Sequence, residues 1–344
     1  MYSTTILHKR KTPSTCKYLK DQPVKKLKVA SSVITENLKS ISHNHLGFIW
    51  KSLSFIKERN ILVTTGTEGS IALWDAKNRF RHIRTIDAFK HLIIYSVVYI
   101  ERLNAVACSS TDNSPIKIFE IDDGRLLFEL SKEREYFNFL DLVYFEKDNC
   151  LIAGGFDQNL LFFDLQSQKQ IHSIPLGSSI GAIKCIKGTH LVIAGLWGGC
   201  VKAVNLASKK VIFSKQAHQE GYIMCLQVIE SRYLMISCGD DSRILLWSLK
   251  RGVPDLMKTV CLFKPRNSCP SLRNMVKLKD RYLVLEYESS LIVVDILNGK
   301  RLNTKCTKEE IASMLKINDV LMFATEGQKL EYLENLQNEL LRFN

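Results

Sequence analysis

Three side chains in the second half of the sequence have the residue types of a hydrolytic triad. His218, Ser237 and Asp241 carry an imidazole, a hydroxyl and a carboxylate, the groups that together activate a nucleophile. The pattern occurs twice, at 29, 10 and 6 positions before a tryptophan: His218, Ser237 and Asp241 before Trp247, and His45, Thr64 and Glu68 before Trp74. A repeated spacing favours a structural network, in which the carboxylate orients the imidazole and the hydroxyl reaches the indole N–H. We therefore predict no catalytic residues and no enzyme.

The two tryptophans belong to a longer repeat. Seven short strands each end in a large apolar residue, and these residues are 45, 44, 41, 43, 47 and 39 positions apart: Trp74, Phe119, Phe163, Val204, Trp247, Val294 and Leu333. A further β-rich run precedes each of these strands. Four short strands per repeat of roughly 40–45 residues are typical of a β-propeller blade. The sequence predicts an all-β, seven-bladed β-propeller.

At these registers the residues resemble the WD40-repeat (WD repeat) family. Trp74-Asp75 and Trp247-Ser248 occupy its Trp-Asp position. The resemblance implies a WD40-like propeller over residues 43–344, with His45, Thr64, Glu68 and Trp74 in one buried tetrad and His218, Ser237, Asp241 and Trp247 in another. The outer strand of the last blade is expected from Val33–Ile41, the family's usual latch, or from Leu340–Phe343.

The charge of the chain is concentrated before the first blade. Of 344 residues, 48 are Lys or Arg and 35 are Asp or Glu, a net charge of +13. Residues 1–46 hold nine bases and two acids, or +7, which leaves +6 for the remaining 298. We therefore predict a basic, disordered N-terminal arm over residues 1–42. Its clusters His8-Lys9-Arg10-Lys11 and Lys25-Lys26-Leu27-Lys28 favour a nuclear location. Cytoplasmic and mitochondrial locations stay open as alternatives.

Cysteines and apolar runs limit the other possibilities. The ten cysteines are scattered without a CxxC pair, so we predict buried free thiols in a reducing intracellular compartment and no metal site. No cofactor motif is present, and we expect no cofactor. The longest nearly unbroken apolar run, Leu92 to Ile100, is too short to span a bilayer, so we expect no membrane partner.

Two surfaces are candidates for binding partners. Aligned blades place Phe156, Trp197 and Tyr287 in turns that normally hold small polar residues, so these aromatic side chains are predicted to contact a partner protein. The alternative is local packing under a neighbouring loop. A basic patch of Lys77, Arg79, Arg81 and Arg84 follows Trp74-Asp75 and either protects an exposed strand edge or contacts phosphates.

The favoured function is a non-catalytic protein–protein interaction scaffold, a WD-repeat subunit of a larger assembly, whose propeller is a monomer within a hetero-complex. One alternative is a nuclear or nucleolar propeller that contacts RNA or DNA through its basic arm, as in a ribosome-assembly factor. Another is a substrate-receptor adaptor of a cullin ubiquitin ligase, since Trp74-Asp75-Ala76-Lys77 resembles a docking motif in which Lys77 replaces arginine.

Overall fold

The computed structural model describes residues 38–42, 53–66, 68–131, 138–219, 221–261, 272, 274–287, 290–306, 310–325 and 329–334. His45, most of the predicted N-terminal arm and the Leu340–Phe343 segment lie outside these residues.

The described residues form seven four-stranded antiparallel sheets, which we number as blades 1–7 along the chain. Blades 1–3 consist of β2 (Leu53–Ile56), β3 (Ile61–Thr65), β4 (Ser70–Asp75) and β5 (Arg81–Asp87); β6 (Ile94–Ile100), β7 (Ala105–Ser110), β8 (Ile116–Glu120) and β9 (Leu126–Leu130); and β10 (Phe139–Phe145), β11 (Cys150–Gly155), β12 (Asn159–Asp164) and β13 (Lys169–Pro175).

Blades 4–6 consist of β14 (Ile180–Ile186), β15 (Leu191–Leu196), β16 (Cys200–Asn205) and β17 (Lys210–Gln216); β18 (Ile223–Ile229), β19 (Leu234–Gly239), β20 (Arg243–Ser248) and β21 (Asp255–Cys261); and β22 (Met275–Lys279), β23 (Tyr282–Tyr287), β24 (Ser290–Asp295) and β25 (Lys300–Cys306). Blade 7 consists of β26 (Ile311–Ile317), β27 (Val320–Thr325), β28 (Lys329–Leu333) and β1 (Leu38–Ser42). Three short 3-10 helices, Glu101–Leu103, Glu146–Asp148 and Glu230–Arg232, connect the first two strands of blades 2, 3 and 5.

The antiparallel order gives the molecule two different ends. In blades 1–6 the turn between the first and second strands lies at the same end as the turn between the third and fourth strands, and in blade 7 the first turn lies at the same end as the start of β1. We call this the lower end. The turn between the second and third strands lies at the opposite, upper end, together with the connection that leads to the next blade.

The ring is closed by a strand from the beginning of the described chain. First strands of successive blades contact one another from β2 to β26, and β26 returns to β2. The outer strand of blade 7 is β1, which pairs with β28 from Leu38 opposite Leu333 to Ser42 opposite Lys329. Of the two segments expected to complete the last blade, the structure therefore uses the N-terminal one.

The core lies between the blades. Seven clusters of buried apolar side chains each combine residues of two neighbouring blades, and the seventh joins blade 7 to blade 1. The residues that define the sequence repeat are all buried in these interfaces. A buried carboxylate connects three inner strands, because Asp141 of β10 accepts hydrogen bonds from Ser96 Oγ (3.3 Å) and from the Ile183 N–H (2.8 Å).

Most of the described cysteines match the expectation of free thiols. Cys108, Cys150, Cys185, Cys200 and Cys238 are thiols outside any disulfide. Burial raises the pKa of Cys150 to about 11 and that of Cys185 to about 12, so these thiols resist conversion to reactive thiolates. Cys261, at the end of β21, is disulfide-bonded, and the expectation of a free thiol is wrong at this position.

Removing residues 1–42 should destabilise the propeller more than removing residues 1–37. The shorter truncation keeps all described strands, whereas the longer one deletes β1 and exposes the edge of β28. We expect a lower melting temperature and more aggregation for the longer truncation alone, measured by thermal unfolding monitored by circular dichroism. Equal melting temperatures for the two truncations would contradict this assignment of the closing strand.

Candidate functional site

The triad-like residues form a buried brace in blade 5. His218 Nδ1 lies 2.8 Å from Asp241 Oδ1, and His218 Nε2 lies 2.9 Å from Ser237 Oγ. The Trp247 indole N–H donates to the same hydroxyl at 3.0 Å. In the neutral imidazole Nδ1–H donates to the carboxylate, so the Ser237 hydroxyl accepts from Trp247 and donates to Nε2. One chain of hydrogen bonds thus joins the connection before the blade to its second and third strands.

The preceding blade positions the imidazole. The backbone N–H groups of Ala217 and His218 both donate to the Gly199 carbonyl, at 3.0 and 2.9 Å. Gly199 has a φ of +74°, and a Cβ at this position would lie 1.9 Å from the His218 carbonyl oxygen. A glycine is therefore required for this close approach between blades 4 and 5.

Burial separates this brace from a catalytic triad. His218, Ser237 and Trp247 are 0% exposed. A nucleophile must reach its substrate, and this hydroxyl has no contact with solvent. Its hydrogen bonds satisfy polar groups that would otherwise be costly to bury, so the arrangement stabilises the blade.

Blade 1 repeats only part of the brace within the described residues. The Trp74 indole N–H donates to Thr64 Oγ1 at 3.0 Å in a buried contact. The Glu68 side chain is 62% exposed, and its Oε2 lies 3.5 Å from His91 Nδ1. His45 lies outside the described residues. The structure thus brings Thr64 and Trp74 together and leaves Glu68 at the surface, where its carboxylate faces a different histidine.

At the upper end, three aromatic side chains from blades 3, 4 and 5 form a continuous row. The Phe156 and Trp197 ring centroids are 4.8 Å apart with planes at 86°, and those of Trp197 and Tyr222 are 4.9 Å apart with planes at 31°. Phe156 is 38% and Tyr222 48% exposed. We call these residues the aromatic row. It crosses two blade interfaces and presents its two terminal rings to solvent.

The central residue of the aromatic row, Trp197, packs against the backbone of the same blade. Its indole lies over Gly181, where a Cβ would lie 2.9 Å from Nε1. This Nε1 is buried without a hydrogen-bond partner in the described part of the chain. An unsatisfied buried N–H destabilises a protein, so Trp197 is not explained by local stability alone.

Carboxylates accompany both ends of the aromatic row. Asp157 follows Phe156, and Asp240 accepts a hydrogen bond from the Tyr222 backbone N–H. Partial burial raises the pKa of Asp240, although this hydrogen bond opposes the effect. The described loops of the upper end contain six acidic residues and one lysine: Glu68, Asp112, Asp157, Asp240, Asp241 and Glu310, and Lys90.

The sequence located the aromatic row incompletely. The alignment of the turns between second and third strands predicts Phe156 and Trp197 as partner contacts. Tyr287 ends β23 at the upper end, opposite Ser290, and its side chain lies outside the described part, so its role stays a prediction. Tyr222 was missed because it lies in the connection between blades. The sequence feature that could have indicated Tyr222 is its position four residues after His218, directly before β18.

The basic patch of blade 1 divides into two parts. Lys77, Arg79 and Arg81 are exposed on the lower turn and outer strand. The guanidinium of Arg84 instead donates to the carbonyls of Asp122 (2.9 Å) and Asp123 (2.6 Å) in the next blade. Arg84 therefore connects two blades, and only the first three residues present their charge freely.

Comparison with known proteins identifies the repeat. A family model described as "WD domain, G-beta repeat" matches residues 209–248. The β-propeller domain of Cps50 (Swd1) from Myceliophteria thermophila superposes with a TM-score of 0.73 at 13% identity, covering 86% of this chain and 99% of that one.

The chain is a seven-bladed β-propeller that contains a WD40 repeat. The matched repeat joins the outer strand of blade 4 to the three inner strands of blade 5, and it contains the complete brace of His218, Ser237, Asp241 and Trp247. In this repeat the outer strand of one blade comes directly before the inner strands of the next blade. By the same rule, the outer strand of blade 7 comes from the segment before blade 1, and this strand is β1.

Curated relatives of this chain are distant. "Nuclear distribution protein nudF" from Aspergillus niger is 22% identical over 59% of this chain and 50% of its own length. "Transducin beta-like protein 3" from Mus musculus is 23% identical over 38% of this chain and 16% of its own length. The match therefore spans half or less of either relative.

The described residues contain no group of three or more His, Cys, Asp and Glu side chains that could hold a metal ion. No helix among them is long and apolar enough to cross a membrane.

Replacing Ser237 by alanine should destabilise the propeller more than replacing Thr64 by valine. The first change removes the shared partner of two buried groups, His218 Nε2 and Trp247 Nε1, whereas the second removes one hydrogen bond to Trp74. We expect a loss of about 2–3 kcal/mol for Ser237→Ala and about 1 kcal/mol for Thr64→Val, measured by urea unfolding. A smaller effect at Ser237 than at Thr64 would contradict the brace.

Proposed function

We propose that this WD40 propeller is a non-catalytic scaffold subunit of a larger protein assembly and that a partner protein binds at the aromatic row. The observation that carries the proposal is the row itself, in which side chains of three blades combine into one surface with exposed ends. Interface hot spots are enriched in such tryptophan and tyrosine clusters. WD40 propellers generally bind other proteins, which supports the same conclusion.

The carboxylates beside the aromatic row indicate which side chains of a partner would bind there. A lysine or arginine side chain of the partner would lie against the face of Tyr222 or Phe156 and approach Asp240 or Asp157. Asp240 is already partly removed from water, as its raised pKa indicates, so a cation beside it recovers electrostatic energy that solvent does not supply. A positively charged segment is therefore the expected ligand of this surface.

The double substitution Phe156→Ala/Tyr222→Ala should remove the partner. Both side chains are exposed, so their truncation is expected to leave the fold intact while it removes the contact area. We would purify the tagged full-length protein with its partners, identify them by mass spectrometry, and reconstitute the complex from purified components. We expect affinity to fall at least about 10-fold, a loss of roughly 1.4 kcal/mol or more.

Ile171→Ala/Met257→Ala is the matched control. These apolar side chains are 53% and 63% exposed on the outer strands of blades 3 and 5, away from the aromatic row. The control should retain every partner. If the double variant of the aromatic row binds all reconstituted partners as tightly as the control, the proposed binding surface is wrong.

We also propose that the basic segment before β1 directs the protein to the nucleus. Residues 1–37 contain eight lysines and arginines and two acids. A fluorescent fusion of the full chain should accumulate in nuclei, and the fusion without residues 1–37 should not. Retention of nuclear fluorescence in the truncated fusion would refute the signal, because β1 and the propeller strands are unchanged.

A further inference from the structure

A second surface, at the lower end of blades 5 and 6, differs in chemistry from the aromatic row. A cleft of about 540 Å³ is lined by Arg232, Lys279, Asp280, Arg281 and Tyr282. The two-residue turn that follows Lys279 in blade 6 thus lies beside the 3-10 turn that contains Arg232 in blade 5. Three cationic side chains from two blades face one recess.

The acids of this region are largely engaged by other groups. Asp280 accepts a hydrogen bond from Ser231 and lies 3.3 Å from Lys277 Nζ. Arg281 donates twice to the buried Asp295, at 3.0 and 2.7 Å. Within the described part of the chain, the side chains of Arg232 and Lys279 form no hydrogen bond or ion pair. After the Ser231 hydrogen bond and Lys277, Arg232 contributes to the lowered pKa of Asp280. Neither Arg232 nor Lys279 is held in a direct polar contact by a described residue, so both side chains can reach a ligand.

The outer turn of blade 5 adds two more cations. The Leu249 N–H donates to the Tyr233 carbonyl at 2.7 Å, which brings the exposed Lys250 and Arg251 beside the first turn of the blade. With the ion-pair partners included, six cations therefore lie at this end against four acids: Arg232, Lys250, Arg251, Lys277, Lys279 and Arg281, against Glu230, Asp255, Asp280 and Asp295. The excess is positive, opposite to that of the upper end.

Tyr233 lies exposed among these charged residues, in a left-handed backbone conformation that disfavours a tyrosine. Tyr233 has φ +51° and ψ +44°, and its side chain is 62% exposed. The matching residues of blades 1, 2 and 3, each directly before the second strand, are Asn60, Asn104 and Asn149, with φ between 48° and 53°. Asparagine tolerates this left-handed conformation better than a bulky aromatic residue does. Blade 5 thus exposes an aromatic ring where three other blades use the residue that local stability prefers.

A second tyrosine lies within the cleft. The Arg281 guanidinium lies 5.3 Å from the centroid of the Tyr282 ring. Blades 5 and 6 therefore each present an Arg-Tyr pair at their first turn, Arg232-Tyr233 and Arg281-Tyr282. Alternating cations and aromatic rings suit a ligand that carries both phosphates and flat bases, since bases stack on aromatic faces and phosphates bind the cations.

The N-terminal segment meets the propeller at this same end. Leu38 pairs with Leu333 at the lower end of blade 7, which neighbours blade 6, so the basic residues before Leu38 connect to the chain there. The net charge of the residues before Leu38 has the same sign as the net charge of the cleft.

We propose that the lower end of blades 5 and 6 binds single-stranded nucleic acid, with Arg232 and Lys279 on its phosphates and Tyr233 stacked on a base. This surface lies at the end opposite to the aromatic row, so it can function whether or not the proposed protein partner exists. An acidic protein segment would satisfy the charges but would leave the exposed Tyr233 without a flat partner. A single-stranded nucleic acid uses both features.

The test uses the purified full-length protein and a fluorescein-labelled dodecauridine, with binding followed by fluorescence anisotropy at salt concentrations from roughly 50 to 200 mM. Arg232→Ala/Lys279→Ala should weaken binding at least about 10-fold at low salt. Loss of two phosphate contacts should also reduce the slope of log affinity against log salt by roughly 1.4. Lys169→Ala/Lys210→Ala, which removes the same charge from the outer strands of blades 3 and 4, should leave both quantities unchanged.

Tyr233→Asn separates binding from folding. Asparagine is the residue of blades 1 to 3 at this position, so the melting temperature should stay the same or rise. The affinity for dodecauridine should nevertheless fall at least about fivefold through loss of stacking.

Three results would overturn the proposal. The first is wild-type protein that does not bind dodecauridine. The second is wild-type affinity in both Arg232→Ala/Lys279→Ala and Tyr233→Asn, which would assign all binding to the N-terminal segment. The third is displacement of the RNA by polyglutamate at an equal concentration of charge, which would assign the surface to an acidic protein.

Discussion

The pairing of β1 with β28 is the interaction on which the rest of the structure depends. Each blade of this ring has two apolar faces, and each face must be covered by a neighbouring blade. In this chain the seven apolar clusters provide that cover only because blade 7 meets blade 1. The five residue pairs from Leu38 to Ser42 complete blade 7 with a strand that precedes blade 1. Closure thus fixes the position of every blade relative to its neighbours, and every surface that combines residues of two blades depends on it.

The buried braces show how polar groups help to hold this arrangement. His218 comes from the connection that enters blade 5, and its partners come from the strands and turn within the blade. Asp141 does the same at the inner strands of blades 2, 3 and 4. A hydrogen bond between elements has a required direction and distance, so it fixes their register more narrowly than apolar contact does. The residue types of a triad are therefore used here to position strands.

The two ends of the ring carry surfaces of opposite charge. The upper end combines aromatic rings with carboxylates, and the lower end of blades 5 and 6 combines tyrosines with cations. Some turn residues are buried in the apolar core, but others are exposed at either end, and the exposed residues can change without loss of the fold. A chain with a net charge of +13 can therefore present an acidic surface, because the sign of the total says nothing about each end.

The sequence by itself determined the number of blades, the class of fold and the residues at the repeat positions, since periodic burial of strands is a local property that a sequence pattern records. It also indicated Phe156 and Trp197. Tyr222, Asp240 and Arg232 with Lys279 required the tertiary structure, because each acts through a neighbour on another turn or another blade. The exposed position of Glu68 and the bonded position of Arg84 were likewise settled by contacts that spacing does not encode. Spacing gives the order of residues along one strand, whereas a surface is made where strands from distant parts of the chain end side by side.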